Sequence, residues 1–130
     1  MRKVRVKICG ITRLEDLYAS VDAGANAVGF IVDVPSSPRN LTLAEAKALI
    51  DSTPIFVEKV VVSVFRSLGQ LSRIYTELRP DTIQVHSGLL PEISIREKLS
   101  HIRLIRAVQV SSENSIDIAL KSAPIFDAVL

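Results

Sequence analysis

The sequence has 130 residues, of which 48% are hydrophobic and 23% are charged, and its formal net charge is +2. This length suits one small domain, and this composition supplies a packed core and excludes intrinsic disorder. The near balance of 16 basic and 14 acidic residues gives no reason to expect a nucleic-acid partner.

The sequence also bears on the cellular location of the protein. A single cysteine cannot form an intrachain disulfide, which favours a reducing, cytoplasmic compartment. The N-terminus lacks the continuous apolar stretch of a signal peptide. The longest apolar run is far shorter than the roughly 18 residues of a membrane span, so we expect no membrane partner.

Hydrophobic periodicity predicts strands and helices in strict alternation. Residues 3–8 alternate apolar and charged side chains as a strand does, and residues 14–23 have the apolar spacing of a helix. Further strands are predicted at 27–32, 57–65, 82–86, 102–110 and 126–130, and further helices at 42–50, 68–78, 91–99 and 115–123. Thr42 and Glu45 have the spacing of a capping box. Strict alternation predicts a parallel sheet covered by helices.

Two parallel α/β architectures accommodate this pattern. The first is a (βα)8 TIM barrel, in which residues 1–130 would supply about five βα units and the start of strand six, because such barrels usually need at least about 200 residues. The second is a doubly wound five-stranded sheet, for which this length is natural. No linker or low-complexity segment interrupts the pattern, so we treat residues 1–130 as one domain.

Cys9 lies where the first predicted strand opens into a loop, directly before Gly10. In parallel α/β folds this carboxyl end of the strand is where sites are built. A thiol there serves as a base or a nucleophile when its thiolate is favoured. The alternative is a small buried hydrophobe, which is the usual environment of a free cysteine.

Polar side chains also follow the other predicted strands, namely Asp33, Arg39, Arg66, Gln84, His86, Ser87, Arg106 and Gln109. In a closed barrel these ends meet at one mouth. The cationic groups there favour an anionic ligand, and Arg39 could hold a carboxylate by two parallel hydrogen bonds. The alternatives are a solvated Arg39, a structural His86 and an Arg106 that faces a helix; His101 and Asp127 are expected away from the mouth. No Cys, His, Asp or Glu residues have metal-ligand spacing, so we expect no metal.

Five short motifs follow one another along the chain: K-I-C-G-I at 7–11, G-A-N-A-V-G-F at 24–30, S-P-R at 37–39, V-S-V-F at 62–65 and Q-V-H-S at 84–87. In these motifs and their order the sequence resembles the phosphoribosylanthranilate isomerase family. The resemblance covers the whole chain, and its opening strand is the most specific motif. Ser87 occupies a position where the family commonly has glycine.

The resemblance implies a TIM barrel that performs an Amadori rearrangement of a phosphosugar in tryptophan biosynthesis, with no cofactor. It implies that Cys9 is the base that takes the proton from the sugar C2. It implies further that Arg39 holds the anthranilate carboxylate and that Gln84 and His86 lie near the substrate.

The resemblance also implies components that residues 1–130 do not include. The family's general acid is an aspartate at the end of strand six, and its phosphate-binding loops follow strands seven and eight. We therefore expect residues 1–130 alone to be catalytically negligible, with a homodimer or a further C-terminal segment as ways to complete the barrel.

Two other functions compete with this interpretation. One is a non-catalytic five-stranded α/β module for binding or assembly. The other is a related phosphosugar barrel enzyme such as indole-glycerol-phosphate synthase, which would need a lysine and a glutamate at strand ends. Lys7 could share the mouth with Cys9, but Glu58 lies too early in its strand.

Overall fold

A computed structural model describes residues 4–86 and 90–130 of the chain. The strands are β1 (Lys7–Cys9), β2 (Ala27–Val32), β3 (Asn40–Leu41), β4 (Glu58–Ser63), β5 (Thr82–Val85), β6 (Arg103–Arg106) and β7 (Ala128–Val129). The helices are α1 (Leu14–Asp22), α2 (Leu43–Asp51), α3 (Leu68–Leu78), α4 (Glu92–Lys98) and α5 (Asn114–Ser122). Among the described residues, no helix has the length and hydropathy needed to cross a membrane.

The sheet is parallel throughout, and its strands follow one another in the order β1-β2-β4-β5-β6-β7, with β3 paired to β2. A doubly wound sheet reverses its strand order at a switch point. No reversal occurs along this path, so the doubly wound alternative is wrong and the sheet is an arc of a (βα)8 barrel. β1 and β7 form the two ends of the arc.

Successive residues of each strand face opposite sides of the sheet. In β2, Val28, Phe30 and Val32 are fully buried in the core beneath the helices. Gly29 and Ile31 alternate with them and face the concave side. The core is one cluster that includes Leu17 of α1 and buried side chains of α2, α3 and α4, so the helices cover one side and leave the concave side free to carry a site.

Two helix ends have the structure that the sequence predicts. Thr42 Oγ1 accepts a hydrogen bond from Glu45 N at 3.3 Å, and Glu45 Oε2 accepts one from Thr42 N at 2.8 Å, which confirms the capping box. Helix α3 ends at Arg79, whose φ of 46° is left-handed, immediately before Pro80. This agrees with the predicted termination, because proline cannot continue a helix.

Several strands are shorter than predicted. The strand predicted at 57–65 ends at Ser63, and Phe65 is fully buried in the core instead of continuing the ladder. The strand predicted at 102–110 ends at Arg106, and Val110 is 88% exposed. A run of apolar residues predicts extended backbone. A strand also needs a neighbouring strand to pair with, and the hydrogen-bonded ladder ends where the neighbouring strand ends.

Candidate active site

A concave cavity of about 400 Å³ opens at the carboxyl ends of the strands. The residues that line it are Lys7, Cys9, Ile31, Val34, Ser37, Val62, Ser63, Val64, Gln84, His86 and Leu130. Three residues predicted from strand ends, Cys9, Gln84 and His86, therefore share one cavity. Lys7 shares it too, because it precedes Cys9 by two residues and so faces the same side of β1.

Cys9 is held against Gly29 of the neighbouring strand, with which it is in register. A Cβ placed on Gly29 would lie only 2.7 Å from Cys9 Sγ. Gly29 therefore forms a notch for the thiol, which is solvent-exposed rather than buried. Sequence reasoning placed Gly29 in a motif but not in the site. The available signal was a glycine within a strand, which often marks a close approach.

Arg39 lies against Gly10, the residue that follows Cys9. A Cβ on Gly10 would come within 2.5 Å of Arg39 Cδ, and Gly10 has a φ of +84°, which glycine adopts without strain. Ser37 Oγ accepts a hydrogen bond from Arg39 N at 3.2 Å. The loop thus brings the exposed Arg39 side chain against the residue that follows Cys9, and Arg39 does not line the cavity.

Lys7, Gln84 and His86 form a hydrogen-bonded series across the concave face. Lys7 Nζ donates to Gln84 Oε1, and Gln84 Nε2 lies 3.0 Å from His86 Nε2. Burial lowers the pKa of His86, and the positive charges of Lys7 and Arg106 lower it further. The neutral imidazole is therefore favoured at this position.

Arg106 faces away from the cavity. Its Nε donates to Glu92 Oε1 of α4 at 2.6 Å, and its Nη1 donates to Ala107 O at 2.6 Å. Of the two directions that the sequence left open for Arg106, the structure has the one toward a helix. Arg66 and Gln109 are exposed and do not line the cavity, and Ser87 lies outside the described residues.

Two further residues lie away from the mouth, as expected. His101 is exposed and hydrogen-bonds Tyr75, with its Nε2 2.7 Å from the phenol oxygen. Asp127 accepts hydrogen bonds from Leu104 N at 2.8 Å and Arg96 Nη2 at 2.7 Å, at the amino ends of β6 and β7. The hydrogen bond from Leu104 N and then that from Arg96 lower the pKa of Asp127.

A larger cleft of about 930 Å³ runs between α2 and α3, and Asp33 lies in it. Asp33 accepts a hydrogen bond from Gln70 and does not reach the thiol cavity. The cleft contains no cysteine or histidine, so the smaller cavity is the better candidate for chemistry. Within residues 4–86 and 90–130, no three His, Cys, Asp or Glu side chains are grouped to hold a metal ion.

Known proteins resemble this chain in sequence and in fold. The family model for N-(5′-phosphoribosyl)anthranilate (PRA) isomerase matches residues 6–129. The N-(5′-phosphoribosyl)anthranilate isomerase of Methanocella arvoryzae is 34% identical over 128 residues, covering 97% of this chain and 60% of that protein.

Two solved structures extend the likeness to the fold. Monomers generated from the dimeric phosphoribosylanthranilate isomerase of Thermotoga maritima match with a TM-score of 0.85 and 34% identity, over 98% of this chain and 64% of that one. A phosphoribosylanthranilate isomerase solved with reduced 1-(o-carboxyphenylamino)-1-deoxyribulose 5-phosphate matches with a TM-score of 0.83 and 35% identity, over 97% and 66%. The chain spans about 60% of the length of the Methanocella relative. With the family model matching nearly all of its residues, the chain belongs to the N-(5′-phosphoribosyl)anthranilate isomerase family.

Proposed function

We propose that this chain carries the base and the carboxylate-binding group of an isomerase that converts N-(5′-phosphoribosyl)anthranilate to its 1-deoxyribulose product in tryptophan biosynthesis. The observation that supports this most directly is the Cys9 thiol in the Gly29 notch, with Arg39 packed against Gly10, the next residue in the chain. A nucleophilic or basic thiol must be accessible, and Cys9 is exposed at the mouth of a cavity.

The reaction is an internal redox exchange between two sugar carbons. An acid protonates the ring oxygen as the C1–O bond breaks, and the lone pair of the attached nitrogen forms a C1=N double bond. A base then removes the proton from C2; the electron pair of that C–H bond forms a C1=C2 double bond, and the electron pair of the C=N bond returns to nitrogen. Addition of a proton to C1 and loss of the proton of the enol hydroxyl on C2 complete the aminoketose. Cys9 is the base in this scheme, because its side chain lies at the carboxyl end of β1 and faces the cavity.

Arg39 is proposed to bind the anthranilate carboxylate. A relative has been solved with a ligand that bears a carboxyphenylamino group, and a guanidinium binds a carboxylate by two parallel hydrogen bonds. Because Arg39 packs against the residue next to Cys9, a carboxylate held there would place the attached amine and sugar over the thiol. Gln84 and His86 would then contact the sugar from the opposite wall.

We propose that the acid that opens the sugar ring is not one of the described residues that line the cavity. Among the described residues that line the cavity, none is an aspartate or a glutamate. A positioned acid contributes about 10²–10⁴-fold to a rate. We therefore propose that residues 1–130 assayed alone have at most a trace of activity, even with Cys9 and Arg39 in place.

The test compares Cys9→Ala, Arg39→Met and Lys47→Met in the natural polypeptide that contains this chain. Conversion of N-(5′-phosphoribosyl)anthranilate should fall at least about 100-fold in Cys9→Ala, because the base is lost. Arg39→Met should mainly raise KM. Lys47 is an exposed lysine on α2 that pairs with Asp51, so the activity of Lys47→Met should match that of wild type. Retention of full activity by Cys9→Ala refutes the assignment.

Two coarser properties are proposed with the function. A cytoplasmic location is supported by the free, exposed Cys9, since exposed thiols stay reduced in that compartment. A homodimer is supported by the Thermotoga relative, which is described as dimeric, and light scattering at two protein concentrations tests it.

A further inference from the structure

Lys7 lines the cavity and is a cation, and the mechanism proposed above gives it no role. Its ammonium group donates to Gln84 Oε1, and it takes part in none of the ion pairs recorded among residues 4–86 and 90–130. The two residues lie 77 positions apart in the sequence and meet only because β1 and β5 curve around the same concave face. A lysine placed there contacts a side-chain amide rather than a carboxylate.

This contact determines which way the Gln84 amide is oriented. An ammonium group has only donors, whereas an amide has an acceptor oxygen and a donor nitrogen. Oε1 must therefore face Lys7, which turns Nε2 toward His86 at 3.0 Å from its Nε2. The flipped amide would set two donor groups against each other at Lys7, so the lysine disfavours it.

The orientation of the amide in turn selects one form of the histidine. Because Gln84 Nε2 can only donate, His86 Nε2 must accept and cannot carry a proton. The proton of the neutral ring is then on Nδ1. We propose that Lys7 is a positioning residue that orients Gln84 and thereby holds His86 as the Nδ1–H tautomer, with Nδ1 as a hydrogen-bond donor for an oxygen of the sugar substrate.

The charges around His86 agree with a neutral ring. Lys7 and Cys9 face it from β1, and Arg106 acts through the sheet from β6. The described residues that line the cavity from β2 and β4 carry no titratable group. Partial burial and the two cations all lower the pKa of His86, which favours the neutral ring at pH 7.

The consequence for mechanism is a division of roles. A histidine whose Nε2 already accepts from Gln84 cannot use that nitrogen to remove a proton, so proton abstraction is left to Cys9. The catalytic meaning of the inference rests on the proposed isomerase function, but the tautomer itself does not. It can be measured without any substrate.

The first experiment is ¹⁵N–¹H correlation NMR of the imidazoles in the chain. The sequence contains two histidines, and His101, paired with Tyr75 on the surface, serves as the internal reference. Wild type should show His86 with Nδ1 protonated at pH 7. An Nε2–H form, or an imidazolium, in wild type overturns the proposal without any variant.

Variants test the role of the lysine directly. In Lys7→Met the amide is free to flip, so His86 should shift toward the Nε2–H form and its pKa should rise. Lys7→Arg keeps a donor and should restore the wild-type pattern, whereas Gln84→Glu, which cannot donate to His86, should lose it. Lys47→Met should change nothing. If Lys7→Met retains both the tautomer and the titration of wild type, Lys7 does not position His86.

An activity measurement separates this inference from the proposed function. If both are right, Lys7→Met lowers kcat about fivefold to tenfold, the effect of one lost hydrogen bond, and Lys7→Arg recovers most of it. If the NMR result holds but the natural polypeptide does not isomerise N-(5′-phosphoribosyl)anthranilate, the proposed function fails and the tautomer assignment stands. If the enzyme is active but the tautomer is wrong, only the positioning role fails.

Discussion

Replacing Gly29 with alanine should displace the thiol that we assign as the base. The added Cβ would lie 2.7 Å from Cys9 Sγ, so the sulfur must move by about 0.7 Å to reach an ordinary contact of 3.4 Å. The same Cβ would also lie 3.2 Å from Cys9 Cα, which is backbone and moves only with strand β1. Rotation of the cysteine side chain alone therefore cannot relieve the crowding.

The expected cost follows from these distances. Overpacking a buried position typically costs about 1–3 kcal/mol of stability, and misplacing a reacting group by about 1 Å can cost roughly 100-fold in rate. Gly29→Ala should accordingly lose some stability and a larger share of activity. The loss should appear in kcat more than in KM, because Arg39, which we propose binds the carboxylate, lies outside the crowded notch.

Three measurements check this prediction: urea denaturation, the rate at which Cys9 reacts with a disulfide reagent, and isomerase turnover. Gly69→Ala is the matched control, since its Cβ would meet only Ser67 Oγ at 3.8 Å and alanine favours a helix by about 0.5–1 kcal/mol over glycine. Wild-type stability, thiol reactivity and turnover in Gly29→Ala would refute the argument that Gly29 makes room for the thiol.

Other contacts lead to further tests. Gly10→Ala should raise KM and cost about 1–2 kcal/mol, because alanine is strained at a φ of +84° and its Cβ would displace Arg39; unchanged substrate affinity would contradict this. Arg106→Met should cost about 3 kcal/mol in urea denaturation by leaving the largely buried Glu92 carboxylate without its cation, and adding Glu92→Gln should recover part of the loss. The pKa of Asp127 is lower in the folded protein than in the unfolded chain. Its charged carboxylate therefore stabilises the fold fully when the pH is above the unfolded pKa. This stabilisation is lost as the pH falls through the folded pKa. Asp127→Asn should therefore flatten the acid side of the stability profile, by less than about 1 kcal/mol because the carboxylate is half-exposed.

The order of the elements was predictable because local patterns determine it. Residues 27–32 and 68–78 have the periods of a buried strand and an amphipathic helix, and the structure places β2 and α3 at those residues. The two-residue strand β3 was not predictable, since its only ladder is with β2 and a strand of that length has no period. The ends of β4 and β6 likewise depend on where neighbouring strands stop.

The site was predictable to the extent that it depends on strand ends. Cys9, Gln84 and His86 share the cavity because parallel strands bring their carboxyl ends to one edge. The direction of Arg106 was not predictable, because Leu104 and Ile105 are both apolar and face opposite sides, so the pattern does not distinguish the two faces. The Gly29 notch and the Lys7–Gln84 contact are distances between strands, which sequence spacing does not encode.

The alternation along β2 and β4 also has a consequence for redesigning the protein. Val28, Phe30 and Val61 build the helix-covered core, whereas Ile31 and Val62, their neighbours in the chain, form the wall of the cavity. A combinatorial library confined to the second group would vary the shape of the cavity and leave the hydrophobic core unchanged. Along these strands, the residues that shape the cavity alternate with those that form the core. Specificity and stability can therefore be selected at separate positions.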